Sequence, residues 1–146
     1  MATVTFVPAS GFSSRTASGE ATLRAVAAPT ASYVATTNDV STVGWEFVVF
    51  QFTYTKGDET TLQIKPEGYT GTNWIALGYK ATQATAVSEL SLDIIQLTGT
   101  QTVASPPMSC LGFQKVRCSV KATGGTPTGT IGVTATGAVA VKHGAV

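Results

Sequence analysis

The sequence predicts an all-β chain, an antiparallel β-sandwich or jelly-roll-like fold of about eight strands with an extended N-terminal arm. Three observations predict it. Threonine is the commonest residue, at roughly 25 copies, and Thr, Val and aromatic side chains suit a pleated, half-buried surface. Apolar and polar residues alternate with period two in several windows, as in strands with one face in a core. Clusters of Gly, Pro, Asn and Asp separate these windows at the spacing of an all-β sandwich. No stretch shows the periodicity of a long amphipathic helix.

The elements follow in order. Residues 1–29 are rich in Ala, Ser, Thr and Gly and are expected to form the arm, with residues 30–146 as the sandwich domain. Leu23 and Val26 lie three apart, so residues 18–28 suit either a short helix or an extended segment ordered by packing on a neighbour. Strands are expected near residues 31–37, 45–55, 60–66, 73–80, 89–98, 101–104, 111–122 and 128–136. Within 44–55, Phe47, Val48, Val49, Phe50 and Phe52 place apolar groups on both faces, as in a central strand covered on both sides. Lys56-Gly57-Asp58-Glu59 reads as the turn of a hairpin returning through 60–65. There Leu62 and Ile64 oppose Thr61, Gln63 and Lys65. In 89–94, Leu90, Leu92 and Ile94 share one face. In 115–122, Val116, Cys118, Val120 and Ala122 oppose Lys115, Arg117, Ser119 and Lys121. In 129–136, Ile131, Val133 and Ala135 oppose Thr130, Thr134 and Thr136. A short apolar tail follows Gly137, and no internal repeat is evident from the sequence.

Composition narrows the function. The chain has 146 residues, of which 12% are charged and 43% hydrophobic, with a formal net charge of +1. Average domains carry about 25% charged residues. Near-zero net charge argues against binding nucleic acid or a membrane surface by charge. The N-terminus has neither a basic n-region nor an apolar h-region, so no signal peptide is expected. Cys110 and Cys118 allow one disulfide at most, and free thiols are expected, with Cys118 on an apolar strand face.

Candidate chemistry is sparse. The single histidine, His143, lies near the C-terminus and reads as an exposed end rather than a catalytic base. Asp58-Glu59 and Asp39 read as turn carboxylates rather than calcium ligands. The segment 124–129 (GGTPTG) lacks the GK[ST] of a phosphate loop and reads as a strand connection. No cofactor, metal or catalytic residue is expected. Tyr69, Trp74 and Tyr79 suit either a sugar platform or an edge or subunit contact, the contact being the favoured reading. Lys115, Arg117 and Lys121 form a basic outward stripe, read as a solvated face or a charged edge.

The block 44–79 (GWEFVVFQFTYTKGDETTLQIKPEGYTGTNWIALGY) and the Thr/Gly-rich run 123–136 (TGGTPTGTIGVTAT) resemble segments of small structural proteins of tailed bacteriophages. That resemblance implies a non-enzymatic β-sandwich virion component: a capsid decoration or cement protein, or alternatively a neck, tail or fibre piece. It implies no active-site residues. The implied partners are copies of the chain itself, as a homo-oligomer, and the major capsid protein or other virion proteins. The implied location is the virion, after synthesis in the host cytoplasm. A mean hydropathy of +0.21 agrees with a subunit that covers its surface with neighbours. The contact candidates are Phe47, Val49, Phe50, Phe52, Tyr69, Trp74, Leu23 and Val26. From another class, a carbohydrate-binding module would use Trp74 and Tyr69.

Overall fold

The computed structural model describes residues 4–6, 15–77, 79–80, 91–92 and 94–138. His143, the apolar tail beyond Ala138, the side chain of Tyr79 and most of the 89–94 window lie outside what is described. Two antiparallel sheets of six strands each carry the fold. The first orders β1 (Val4–Phe6), β2 (Arg15–Ala27), β14 (Thr130–Ala138), β5 (Phe47–Thr55) and β11 (Gln101–Ala104), with β12 (Met108–Ser109) also on β5. The second orders β10 (Ile95–Leu97), β6 (Thr61–Tyr69), β13 (Lys115–Thr123) and β3 (Val34–Ala35). In that sheet β4 (Val40–Ser41) also pairs β13, and β7 (Trp74–Ala76) also pairs β6. A separate pair joins β8 (Tyr79–Lys80) to β9 (Ser91–Leu92).

The strands β3 and β4 lie in line along β13, and β11 and β12 lie in line along β5. Each couple is one interrupted strand. Four strand positions therefore face four, β2-β14-β5-β11/β12 against β10-β6-β13-β3/β4. Neighbours in sequence sit in opposite sheets at the steps β2 to β3, β4 to β5, β5 to β6, β10 to β11, β12 to β13 and β13 to β14. This is a double-sheet jelly roll. The alternation windows supply its interior. Val48, Phe50, Phe52 and Tyr54 from β5, Leu62 and Ile64 from β6, Val116, Cys118 and Val120 from β13, and Ile131, Val133 and Ala135 from β14 pack into one cluster.

Two expectations change here. Residues 44–65 are not a hairpin, because β5 and β6 belong to different sheets, paired to β14 and β13 respectively. Both strands have an apolar face that must meet another sheet, and the jelly roll satisfies this by folding one across the other. Residues 15–27 are neither a helix nor an arm docked elsewhere. They form β2, which pairs β14 with a bulged register. Leu23 is fully buried, so the interior of the sandwich includes a side chain from the expected arm. A smaller shift occurs in β10, where Leu97 is buried and Ile95 partly so while Ile94 points out, one residue from the expected phase.

The fold carries an internal pseudo-twofold relation that the sequence hid. Ser41-Thr42-Val43-Gly44-Trp45 leads into β5, and Ser109-Cys110-Leu111-Gly112-Phe113 leads into β13, each position 68 residues on (Ser41 to Ser109, Trp45 to Phe113). Both are tight turns with a positive-φ glycine third, at 82° for Gly44 and 87° for Gly112. Trp45 N–H donates to Thr42 O (2.8 Å), and Phe113 N–H donates to Cys110 O (3.1 Å). The turns also clasp one another: Thr42 N–H donates to Gln114 O and Cys110 N–H to Glu46 O, both at 3.0 Å. The Thr42 hydroxyl donates to Phe113 O, and the Cys110 thiol donates to Trp45 O.

The correspondence extends into the strands. At the break between β3 and β4, Thr36 N–H donates to Cys118 O (2.7 Å), and its Oγ1 accepts from Cys118 N–H (3.3 Å). At the break between β11 and β12, Ser105 N–H donates to Phe50 O (2.7 Å), and its Oγ accepts from Phe50 N–H (3.0 Å). A hydroxyl thus replaces the missing backbone acceptor at each interruption. Each turn aromatic lies on a glycine of the next strand. A Cβ on Gly137 would fall 1.8 Å from the Trp45 ring, and one on Gly68 would fall 2.4 Å from the Phe113 ring.

The far crossings are held by a carboxylate. Glu59, expected as a hairpin-turn carboxylate, is fully buried between the β5–β6 and β13–β14 connections. Its Oε1 accepts from the Tyr54 hydroxyl (2.6 Å) and Gly57 N–H (2.9 Å). Its Oε2 accepts from the N–H groups of Thr128 and Gly129, each at 3.1 Å. The glycine-rich segment is the strand connection expected of it, and its amides cradle the chain's own carboxylate. Burial alone would raise the Glu59 pKa, but the accepted hydrogen bonds outweigh it and lower the value to about 2. Burial first, and then the Glu59 contact, raise the pKa of Tyr54.

Pro66 sits inside β6 without breaking the sheet. Its β13 partner is Cys118, whose backbone N–H and O both turn to Thr36 on the far side. The pair is therefore the kind that exchanges no hydrogen bond. On its other side Pro66 O accepts from Leu77 N–H (3.0 Å) just past the end of β7, so the missing Pro66 N–H falls at the last position of that pairing, beyond the reach of β10, which ends its pairing at Ile64.

Two outcomes follow. Gly137→Ala, which drives a methyl into the Trp45 ring, is expected to cost about 1–3 kcal/mol in urea unfolding. Gly99→Ala, with nothing within 4 Å of its new Cβ, is expected to stay within about 0.5 kcal/mol. The depressed Glu59 pKa makes a stabilisation of about 2–3 kcal/mol that is complete above the ordinary carboxylate pKa and lost as pH falls toward 2. Urea midpoints measured from pH 6 to pH 2 should show this fall, and Glu59→Gln should remove that part of the pH dependence while lowering the midpoint at pH 6.

Candidate functional site on the outer face of the second sheet

Alternation sends Lys115, Arg117, Ser119 and Lys121 of β13 to the outer face, as the sequence predicts. It sends Gln63, Lys65, Glu67 and Tyr69 of β6 to the same face. The register sets Arg117 opposite Glu67, Ser119 opposite Lys65, Lys121 opposite Gln63 and Lys115 opposite Tyr69. Cross-strand neighbours on one face lie about 5 Å apart at Cβ, so the two strands build one network.

Glu67 is its centre, with only 7% of its surface exposed. Its Oε2 accepts from Arg117 Nε (2.8 Å) and from the Ser119 hydroxyl (2.9 Å), and its Oε1 meets Lys65 Nζ at 3.6 Å. The Arg117 guanidinium lies 4.0 Å from the centroid of Trp74 on β7. Trp74 in turn packs against Tyr69 with centroids 5.1 Å apart. A second cluster lies along the same face. The Tyr33 hydroxyl donates to Gln63 Oε1 (3.2 Å), and the ammoniums of Lys65 and Lys121 sit 4.8 and 5.0 Å from the Tyr33 ring centroid. Burial raises the Tyr33 pKa. Lys115 pairs with Asp39 at 3.5 Å.

The eight contact candidates fall in separate places. Tyr69 and Trp74 come together in this network, half-buried. Val26 is exposed on the outer face of the first sheet, beside Gly132. Phe47 and Val49 are partly exposed on that face. Phe50 and Phe52 are fully buried and stack at 6.4 Å, and Leu23 is fully buried too. These three serve the interior and make no outer contact: the outward residues that flank Phe52 on β5 are the polar Gln51 and Thr53. The stripe Lys115, Arg117 and Lys121 is more than a solvated face, because each cation has an acidic or aromatic partner.

Sequence reasoning missed Glu67, Lys65 and Tyr33. The alternation of β6 and β13 was visible separately, but their partnership across the sheet was not. It also missed Val43 and Leu111, the most exposed large apolar residues among those described, at 86% and 66%. Each stands second in its pinned turn. Their signal was the recurrence of Ser, one residue, an aliphatic residue, Gly and an aromatic ring.

Among the described residues, no three metal-ligating side chains gather. Cys110 and Cys118 are both free and buried, and burial raises both thiol pKa values. Glu67→Gln should release Arg117 from its anchor and cost about 1–3 kcal/mol. Read in a Trp45→Phe background, acrylamide quenching of Trp74 should rise; unchanged quenching and an unchanged urea midpoint would show that Glu67 does not hold the network. No protein-family model, curated protein or solved structure matches the chain.

Proposed function

We propose that the chain is a non-enzymatic structural protein of a virus particle, of the tailed-phage decoration or cement kind. It acts by adding contact area across neighbouring shell subunits, so that separating them costs more free energy. Binding to the assembled shell stabilises that state by mass action. The observation that carries the reading is the pair of clasped turns. Val43 and Leu111 stand out from a rigid end of the sandwich, held by reciprocal backbone hydrogen bonds. Apolar tips on a pre-organised scaffold suit contact with a neighbour at low ordering cost. The jelly-roll strand order supports the same reading by architectural analogy, since virus shells use this layout. A neutral-sugar platform on Trp74 is supported less well, because Arg117 already lies on that ring.

Cosedimentation of the purified chain with particles of the virus that encodes it tests the reading. The wild-type chain should travel with particles. Val43→Ser combined with Leu111→Ser should weaken that association at least about tenfold while leaving urea stability within about 0.5 kcal/mol, both sites being exposed. Copy number per particle then separates a shell-wide role from a neck, tail or fibre position. A wild-type chain that stays in the supernatant, or a double variant that binds as well as wild type, contradicts the proposal.

A further inference from the structure

On the outer face of the second sheet, Arg117 is fixed in two ways and left open in a third. Its Nε donates to Glu67, and its π-face lies on Trp74. Its two Nη groups carry no hydrogen bond to the described residues, and about a quarter of the side chain is exposed, at 26%. A guanidinium immobilised in this way presents the fork that matches a carboxylate with two parallel hydrogen bonds. The side-chain freedom that normally opposes such binding has already been lost on folding.

The surroundings extend the same chemistry. Lys65, Lys115 and Lys121 share the face with Arg117, against the two carboxylates of Glu67 and Asp39. Both carboxylates are engaged from within, Glu67 by Arg117, Ser119 and Lys65, and Asp39 by Lys115. Lys121 meets the Tyr33 ring and, among the described residues, no carboxylate. The aromatic rings hold cations in place. Arg117 lies over the Trp74 ring, and the Tyr33 ring carries two lysines, so each ring already serves to seat a cation.

We propose that this face binds an extended acidic segment of a protein partner, with Arg117 as the bidentate anchor for one carboxylate and Lys121 and Lys65 receiving others. Alternate side chains of an extended strand lie about 7 Å apart along one face. Lys115 and Arg117 stand one such repeat apart along β13 and Lys121 stands two repeats beyond Arg117, with Ser119, opposite Lys65, between them, so carboxylates at every second position of a partner strand fall in step with Lys115, Arg117, Lys65 and Lys121 in turn. Glu67 is a positioning residue, holding the fork without touching the partner. The inference stands apart from the virion reading, since it specifies the chemistry of a partner and not the assembly that contains it.

The full chain titrated with hexaglutamate at low ionic strength, followed by NMR and calorimetry, tests it. Shifts should concentrate at Arg117, Lys121, Tyr33 and Trp74. Arg117→Lys keeps the charge facing Glu67 but loses the fork, and should weaken binding about tenfold. Lys121→Gln, at a side chain that among the described residues meets only the Tyr33 ring, should weaken it several-fold without affecting stability. Lys56→Glu, in the exposed β5–β6 connection, should leave it unchanged. Absence of binding, shifts centred elsewhere, or equal affinity for Arg117→Lys and wild type overturns the proposal. So does binding of an oligouronate sugar of equal charge where the peptide does not bind. None of these outcomes bears on cosedimentation with particles, so the two readings fail independently.

Discussion

A chain that crosses repeatedly between two sheets leaves backbone groups unpaired at each crossing, and a buried unpaired group costs a few kcal/mol. At one end of this molecule the carboxylate of Glu59 answers that demand. It accepts from a tyrosine hydroxyl and three backbone amides on two separate connections. At the other end the crossings satisfy each other, Thr42 to Gln114 and Cys110 to Glu46. With both ends closed in this manner, the sheets are free to present the outer faces that the strand alternation dictates. The two solutions differ in kind. The Glu59 pin depends on charge and therefore on pH, whereas the turn clasp uses neutral groups throughout.

The turn clasp also explains where bulky and minimal residues sit. Trp45 and Phe113 each stand two residues before their strands, at equivalent places, and cover Gly137 and Gly68. Val48 and Val116, three residues on, are paired with those same glycines. Two halves of the sequence with little residue identity thus perform the same sequence of tasks: interrupted strand, hydroxyl patch, aliphatic-glycine turn, aromatic lid, long strand. Physical equivalence survives because the tasks constrain residue type, small or aromatic or hydroxylated, more than identity.

That pattern accounts for what was legible in the sequence. The interior faces of 60–65, 115–122 and 129–136 were, because period-two burial is a local property. Pairing was not. Lys56-Gly57-Asp58-Glu59 has the composition of a hairpin turn, and nothing local distinguishes a hairpin from an arch between sheets. Leu23 escaped for a related reason: its strand is bulged against β14 and rich in small residues, so it shows no clean alternation. On the outer face, the basic stripe of β13 was visible, but its counterpart Glu67 became meaningful only through register. Phe50 and Phe52 looked like contact residues because Val49 and Phe47, on the opposite face, made the strand appear greasy all round.

Cross-strand Hα–Hα contacts measured by NMR test the strand crossing on which the pinned ends and both outer faces depend. Phe50 and Cys118 direct their backbone hydrogen bonds to Ser105 and Thr36. Their partners in the other long strands therefore form the close, unbonded kind of pair, with Cα atoms about 4.5 Å apart. Strong Hα–Hα contacts are accordingly expected for Phe50 with Ala135 and for Val120 with Ile64. Contacts of Tyr54 with Thr61 and of Phe52 with Gln63, the pattern of a hairpin through residues 56–59, would contradict the account.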